Sequence, residues 1–253
     1  MAITPFASAS NPADNGAAGA SPQSVTPPAS MVAGDLALIV GLYRGSVSDL
    51  AMSEAGGQTW TVAWDWFNAG LTSAAYWCRF NGTWSADPSM SLTIGANGFT
   101  VIMHVFRPTS SANTWAEDVA AVPPSNTSVD YAAPSTPFNV TISGITTQED
   151  GALAIAQWVS TDDNTWTLDT SGGWAVLGEA QYRNTKGADS STAFAYLVKT
   201  TAGATGDVTS AQTTLGGDAG ATTIWAIHEI AAASSWLPRA ALMQQGPIHT
   251  FGG

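Results

Sequence analysis

The chain uses one kind of stretch twice, and that repetition limits what it can fold into. Gly34–Tyr43 reads Gly-Asp-Leu-Ala-Leu-Ile-Val-Gly-Leu-Tyr, and Gly151–Val159 reads Gly-Ala-Leu-Ala-Ile-Ala-Gln-Trp-Val. Each is a short apolar run behind a glycine, and the first is set off by Pro27 and Pro28 in front and Gly45 behind. That is the pattern of a buried β-strand. More matches follow in the same order: Gly56-Gly57 with Gly172-Gly173, Ala75-Tyr76 and Arg79 with Ala195-Tyr196 and Lys199, and His104 with His228. The spacing between partners drifts by a few residues, as loop insertions would make it. The chain therefore reads as two similar halves.

The rest of the sequence supplies further strand signals and no helical spacing. Ser24–Thr26, Thr59–Phe67, Ser73–Phe80, Met90–Ile94, Phe99–Phe106 and Phe138–Ile145 are short apolar or alternating runs between Gly, Pro, Asn and Asp. In Thr59–Phe67, period two puts Trp60, Val62, Trp64 and Trp66 on one face. The expected fold is all-β: a jelly-roll-like β-sandwich made of halves 24–107 and 138–233. Between them, 108–137 holds Pro108, Pro123, Pro124, Pro134 and Pro137 and reads as a Pro-rich crossover. One two-sheet sandwich shared by both halves is preferred to two small ones, because half a jelly roll leaves a sheet face without a partner.

The two ends read differently. Residues 1–23 are rich in Ala, Ser, Asn, Gly and Pro, too poor in apolar groups to offset ordering entropy, and read as a flexible N-terminal arm. Such an arm is either a disordered leader or a segment that orders on a neighbouring subunit. The tail, 234–253, has no strand pattern but carries Trp236, Leu237, Leu242, Met243, Ile248 and Phe251. These read as inter-subunit anchors, on extended segments favoured by Pro238 and Pro247. Met1–Ser8 lacks the features of a signal peptide, and a single cysteine, Cys78, allows no internal disulfide.

The net charge is −12 and the only lysines are Lys186 and Lys199. A chain of that charge has no basic face to displace counterions from phosphate, so no nucleic acid and no anionic membrane is expected as partner. No apolar run approaches the ~20 residues needed to span a bilayer.

Candidate chemistry is sparse. His104 and His228 occupy matching places, but lack the additional ligands a metal site needs, so both read as structural. Asp162-Asp163-Asn164 with Asp169 departs from calcium-loop spacing and reads as an Asx-rich turn. Glu54, Asp65, Glu117, Asp118 and Glu179 form no patterned carboxylate pair of the glycosidase kind. No Gly-x-Ser-x-Gly motif and no phosphate-binding glycine loop is present. The expectation is a non-enzyme with no catalytic residue, metal or cofactor. Trp84, Trp115 and Trp166 fall in expected loops and are candidates for exposed aromatic contacts, with a glycan as one ligand class.

Ser24-Val25-Thr26-Pro27-Pro28, then Gly34–Val40, then Trp60-Thr61 and Ser73–Trp77 resemble a pattern found in structural proteins of tailed-bacteriophage virions. The resemblance covers about residues 24 to 233 and involves framework positions. It implies a sandwich fold, a place in the virion after synthesis in the host cytoplasm, other capsid or tail subunits as partners, and homo-oligomers. The motif does not separate the family's capsid-decorating, tail or fibre and host-binding members; a capsid decoration or cement protein is expected first, and a tail or fibre component with a carbohydrate-binding, receptor-recognising role second.

Overall fold

The computed structural model describes residues 3–10, 21–45, 50–68, 70–93, 99–122, 129–130, 138–184, 190–212 and 219–233; for 9–10, 68, 129–130, 138, 178–184 and 219 it describes the backbone alone. Every described regular element is a β-strand. The first half contributes β1 (Thr4–Ser10), β2 (Gln23–Ser24), β3 (Leu36–Arg44), β4 (Ala51–Glu54), β5 (Thr61–Asn68), β6 (Leu71–Arg79), β7 (Ser89–Ser91) and β8 (Thr100–Arg107). The second contributes β9 (Thr114–Val122), β10 (Val129–Asp130), β11 (Phe138–Ile142), β12 (Thr146–Thr147), β13 (Ala152–Ser160), β14 (Trp166–Leu168), β15 (Ala175–Asn184), β16 (Ser190–Lys199), β17 (Gly203–Ala204), β18 (Val208–Gln212) and β19 (Ala219–Ile230).

The halves share one topology. The large sheet of the first runs β1-β8-β3-β6-β5, and that of the second has β9 or β10 on β19, then β13-β16-β15. The small sheets run β2-β7-β4 and β11-β18-β14. All these pairings are antiparallel. A two-stranded ribbon of β12 and β17 is additional to the repeat.

One two-sheet sandwich is expected from the sequence; the structure has four layers. Each half is a sandwich of its own, small sheet on large sheet, and the two large sheets pack face to face. Ala37, Ile39, Met90 and Met103 fill the first sandwich, and Ala156, Trp158, Trp166 and Val208 the second. Leu36, Leu38, Trp64 and Phe106 meet Ile155, Phe194, Trp225 and Ile227 in the central layer. The worry about an unpartnered sheet face is thus resolved by the other half rather than by merging the sheets. It also explains why β3 and β13 read as continuous apolar runs: both faces of each are buried. β1 lies against β15, and β5 against β9. Exchanging the halves converts one contact into the other, so the central contact is isologous, like that of a two-fold dimer.

Two segments differ from expectation. Residues 4–10, placed in the flexible arm, form β1 and extend the large sheet by pairing with β8. Thr114–Val122, placed in the crossover, forms β9 on β19. Both are strands at a sheet edge, where one side of the backbone pairs and the side-chain pattern is weakly constrained, so neither shows a strong apolar run. The tail, with Trp236, Leu237, Leu242, Met243, Ile248 and Phe251, lies outside the described residues.

Candidate functional site

The ladder register corrects two of the sequence matches. Leu38 pairs with His104, and Ile155 pairs with Trp225; Leu38 and Ile155 are both the second central-layer residue of their strands. His104 therefore corresponds to Trp225 and not to His228. Leu38 also pairs with Trp77 and Ile155 with Tyr196, so Tyr196 is the counterpart of Trp77, and Tyr76 that of Ala195. A one-residue slip in a strand exchanges its faces, which is why a visual identity in sequence misled.

The two histidines do not converge. His104 is fully buried in the central layer, its Nδ1 2.9 Å from Ser8 Oγ and its ring edge-on to Phe194 at 4.6 Å between centroids. Burial pushes its pKa down to about 3, so the ring is neutral, and Nε2 has no hydrogen-bond partner within the protein. His228 points away from the central layer, with Nδ1 3.8 Å from Asp118 Oδ1. Among the described residues, no three His, Cys, Asp or Glu side chains gather where a metal ion would sit. Burial raises the Cys78 thiol pKa far above its ordinary value, so it remains a protonated core group.

Of the carboxylates that could serve catalysis, Glu54, Glu117 and Asp118 act as acceptors inside the framework. Glu54 Oε1 takes the Gly56 N–H at 2.8 Å, and Glu117 Oε2 takes the Trp225 indole N–H at 3.2 Å. Asp118 accepts the N–H groups of Gln148 and Glu149. Asp65 is on the exposed side of β5, its pKa raised by partial desolvation. The Glu179 side chain lies outside the described ones. Asp169 Oδ1 accepts the Ser171 N–H at 2.8 Å, which is Asx-turn bonding, whereas Asp162 Oδ1 accepts the N–H of the next residue, Asp163, at 2.8 Å.

Two polar clusters escaped the sequence reading. Asp35, fully buried, accepts both Arg107 Nε and Nη2 at 3.1 Å in a bidentate pair, along with the Val32 N–H at 2.9 Å. Where the chain passes between halves, Glu229 takes the Thr109 N–H, the Thr109 hydroxyl and the Asn113 amide, at 2.7 Å for the last. Beside this knot is a cleft of about 350 Å³ between the halves, with Ile3, Asp150 and Val198 among its walls. Asp150 in turn accepts the Ala202 N–H at 2.8 Å. The Asp at the start of an apolar run was the available signal for the first cluster, since a charge there needs a partner. No sequence pattern marks the second.

Of the three aromatic candidates, Trp115 and Trp166 are buried, at 6% and 5% exposure. Trp115 donates its indole N–H to Gly34 O at 3.0 Å, and Trp166 to Ser191 Oγ at 3.0 Å. Both were assigned to loops, but each lies on a strand, β9 or β14, whose inward face takes large side chains. Trp84 is half-buried, stacked on Phe80 at 4.9 Å and on Trp60 at 6.2 Å. The expected common face of Trp60, Val62, Trp64 and Trp66 is broken by a bulge between Val62 and Trp64. Trp64 and Trp66 enter the central layer, whereas Val62 is 50% exposed.

No protein-family model, curated protein or solved structure matches the chain.

Proposed function

We propose that this chain is a structural protein of a tailed-bacteriophage particle, working through protein–protein contacts and decorating the capsid exterior. The supporting observation is how its polar groups are used. The residues that carry the resemblance, Gly34, Asp35, Trp60 and Ser73 among them, bond inside the framework: Trp60 to Ala55 O, Asp35 to Arg107 of the same half, and Ser73 to Gln157 of the other half. A framework of this kind is a stable scaffold, which suits a subunit laid on other subunits. A tail or fibre component that binds glycan is the second reading. It is favoured by the half-exposed Trp60–Trp84 stack, because an outward aromatic face can stack on a pyranose ring. Cryo-electron microscopy of the purified particle separates these readings. Four-layer density on the capsid exterior is expected; density at the tail supports the second reading, and absence from the particle overturns both.

A further inference from the structure

The two sandwiches have the same frame and differ at their centres. In the first, Gly41 of β3 lies beneath Met90 of β7, the middle strand of the small sheet. A Cβ at Gly41 would come within 3.0 Å of Met90 Sδ, so the thioether fills that space. In the second, Trp158 of β13 takes the place of Gly41, and the middle strand β18 offers Ser210. The exchange does not close the interior. A cavity of about 230 Å³ is bounded by Trp158, Trp166, Leu168, Val176 and Ala193, with Thr167 and Ser210 in its wall.

Three features mark this cavity as a site. First, Ser210 is 1% exposed and its Oγ makes no hydrogen bond within the protein. A buried hydroxyl without a partner is unfavourable, so Ser210 Oγ, like several other buried polar atoms among the described residues, is open to a water or a ligand atom. Second, β15 is disrupted at the entrance. Its pairing with β16 passes from Val176–Ala195 directly to Gln181–Ala193, whereas β5 in the first half shifts by a single residue. Such irregularities terminate pairing and open sheet edges next to sites. Val176, at 42% exposure, stands at that opening. Third, none of the lining residues is ionisable, and the walls are aromatic or aliphatic apart from two hydroxyls, the buried Ser210 and the exposed Thr167.

We propose that the second sandwich binds a neutral aromatic ring bearing one hydroxyl or N–H group, of phenol or indole size, with that group hydrogen-bonded to Ser210 Oγ. A dry cavity of roughly 150 Å³ lined by apolar side chains holds a benzene ring, so about 230 Å³ accommodates a ring with a substituent. A monosaccharide is a poor fit, because most of its hydroxyls would lose water and find no partner. A phosphate or carboxylate would meet no cation. The ring is either a free small molecule or an aromatic side chain of another chain.

The test uses the full chain with p-cresol, toluene and N-acetyl-tyrosinamide, followed by calorimetric titration and ligand-observed NMR. p-Cresol is expected to bind saturably, about threefold to tenfold tighter than toluene, the value of one hydrogen bond. Ser210→Ala should bring the two to the same affinity, and Val176→Trp, at an exposed position, should block both while circular dichroism stays unchanged. Binding of N-acetyl-tyrosinamide in addition identifies a side chain as the natural occupant; its exclusion identifies a free molecule. No saturable binding of p-cresol overturns the proposal, as does binding that neither substitution alters.

Discussion

Ser73 of the first half donates its hydroxyl to Gln157 Oε1 of the second at 3.2 Å, inside a largely apolar contact. Trp64 Nε1 donates to the same Ser73 Oγ at 3.1 Å, and Gln157 Nε2 to Thr192 Oγ1 at 3.3 Å. A polar line thus crosses the central layer and fixes how one large sheet sits on the other. Gln157→Ala should destabilise by about 1–3 kcal/mol, since it leaves buried partners unsatisfied. Ser73→Ala combined with Gln157→Leu should recover only part of that loss, because Trp64 Nε1 then loses its acceptor. Urea melts of the two variants provide the check; equal destabilisation would count against a pairwise role.

His104 gives the fold an acid limit. Its pKa is about 3 in the folded chain against an ordinary 6.5, because burial disfavours the charged ring. Between those values the unfolded chain binds a proton that the folded chain does not. Stability is therefore fully present above about pH 6.5 and falls as pH drops towards 3. His104→Gln should flatten this part of the curve. Melting temperature from pH 7 to pH 4 for the two proteins tests it.

Gly34 and Gly151 both have positive φ, at 100° and 79°, but their surroundings differ. A Cβ at Gly34 would lie 2.6 Å from Ser111 O, whereas one at Gly151 would meet nothing within 4 Å. Gly151→Ala should cost about 1–2 kcal/mol, from backbone conformation alone. Gly34→Ala should cost more, because the backbone around Ser111 must move. Equal losses in chemical denaturation would refute the close approach.

Asp35→Ala removes the partner of Arg107. The expected loss is about 3 kcal/mol, the low end for breaking a buried pair, because the Arg107 side chain is 36% exposed and can reach water. Adding Arg107→Leu should restore part of it. A double variant as unstable as Asp35→Ala would indicate that the Asp35 bond to the Val32 N–H dominates instead.

The repeat and the all-β class were legible because β3 and β13 are buried on both faces, which gives short continuous apolar runs behind a glycine. The four-layer arrangement was not, since one apolar run looks the same whether its second face meets a small sheet or another half. β1 and β9 were missed because edge strands carry mixed residues. Trp166 was misplaced because polar neighbours such as Asp163 and Asn164 suggest a loop, while Asn164 is in fact buried and bonded to Ser160 Oγ and Gln212 Oε1. The Ser210 cavity left no trace in sequence, since it results from the pairing of a large residue with a small one on strands distant in the chain.

The central structural claim is that two sandwiches are joined through one buried layer into a single cooperative unit. Differential scanning calorimetry of the full chain tests this most directly. One transition is predicted, with calorimetric and van't Hoff enthalpies equal. Two resolved transitions, each with the enthalpy of one half, would contradict it.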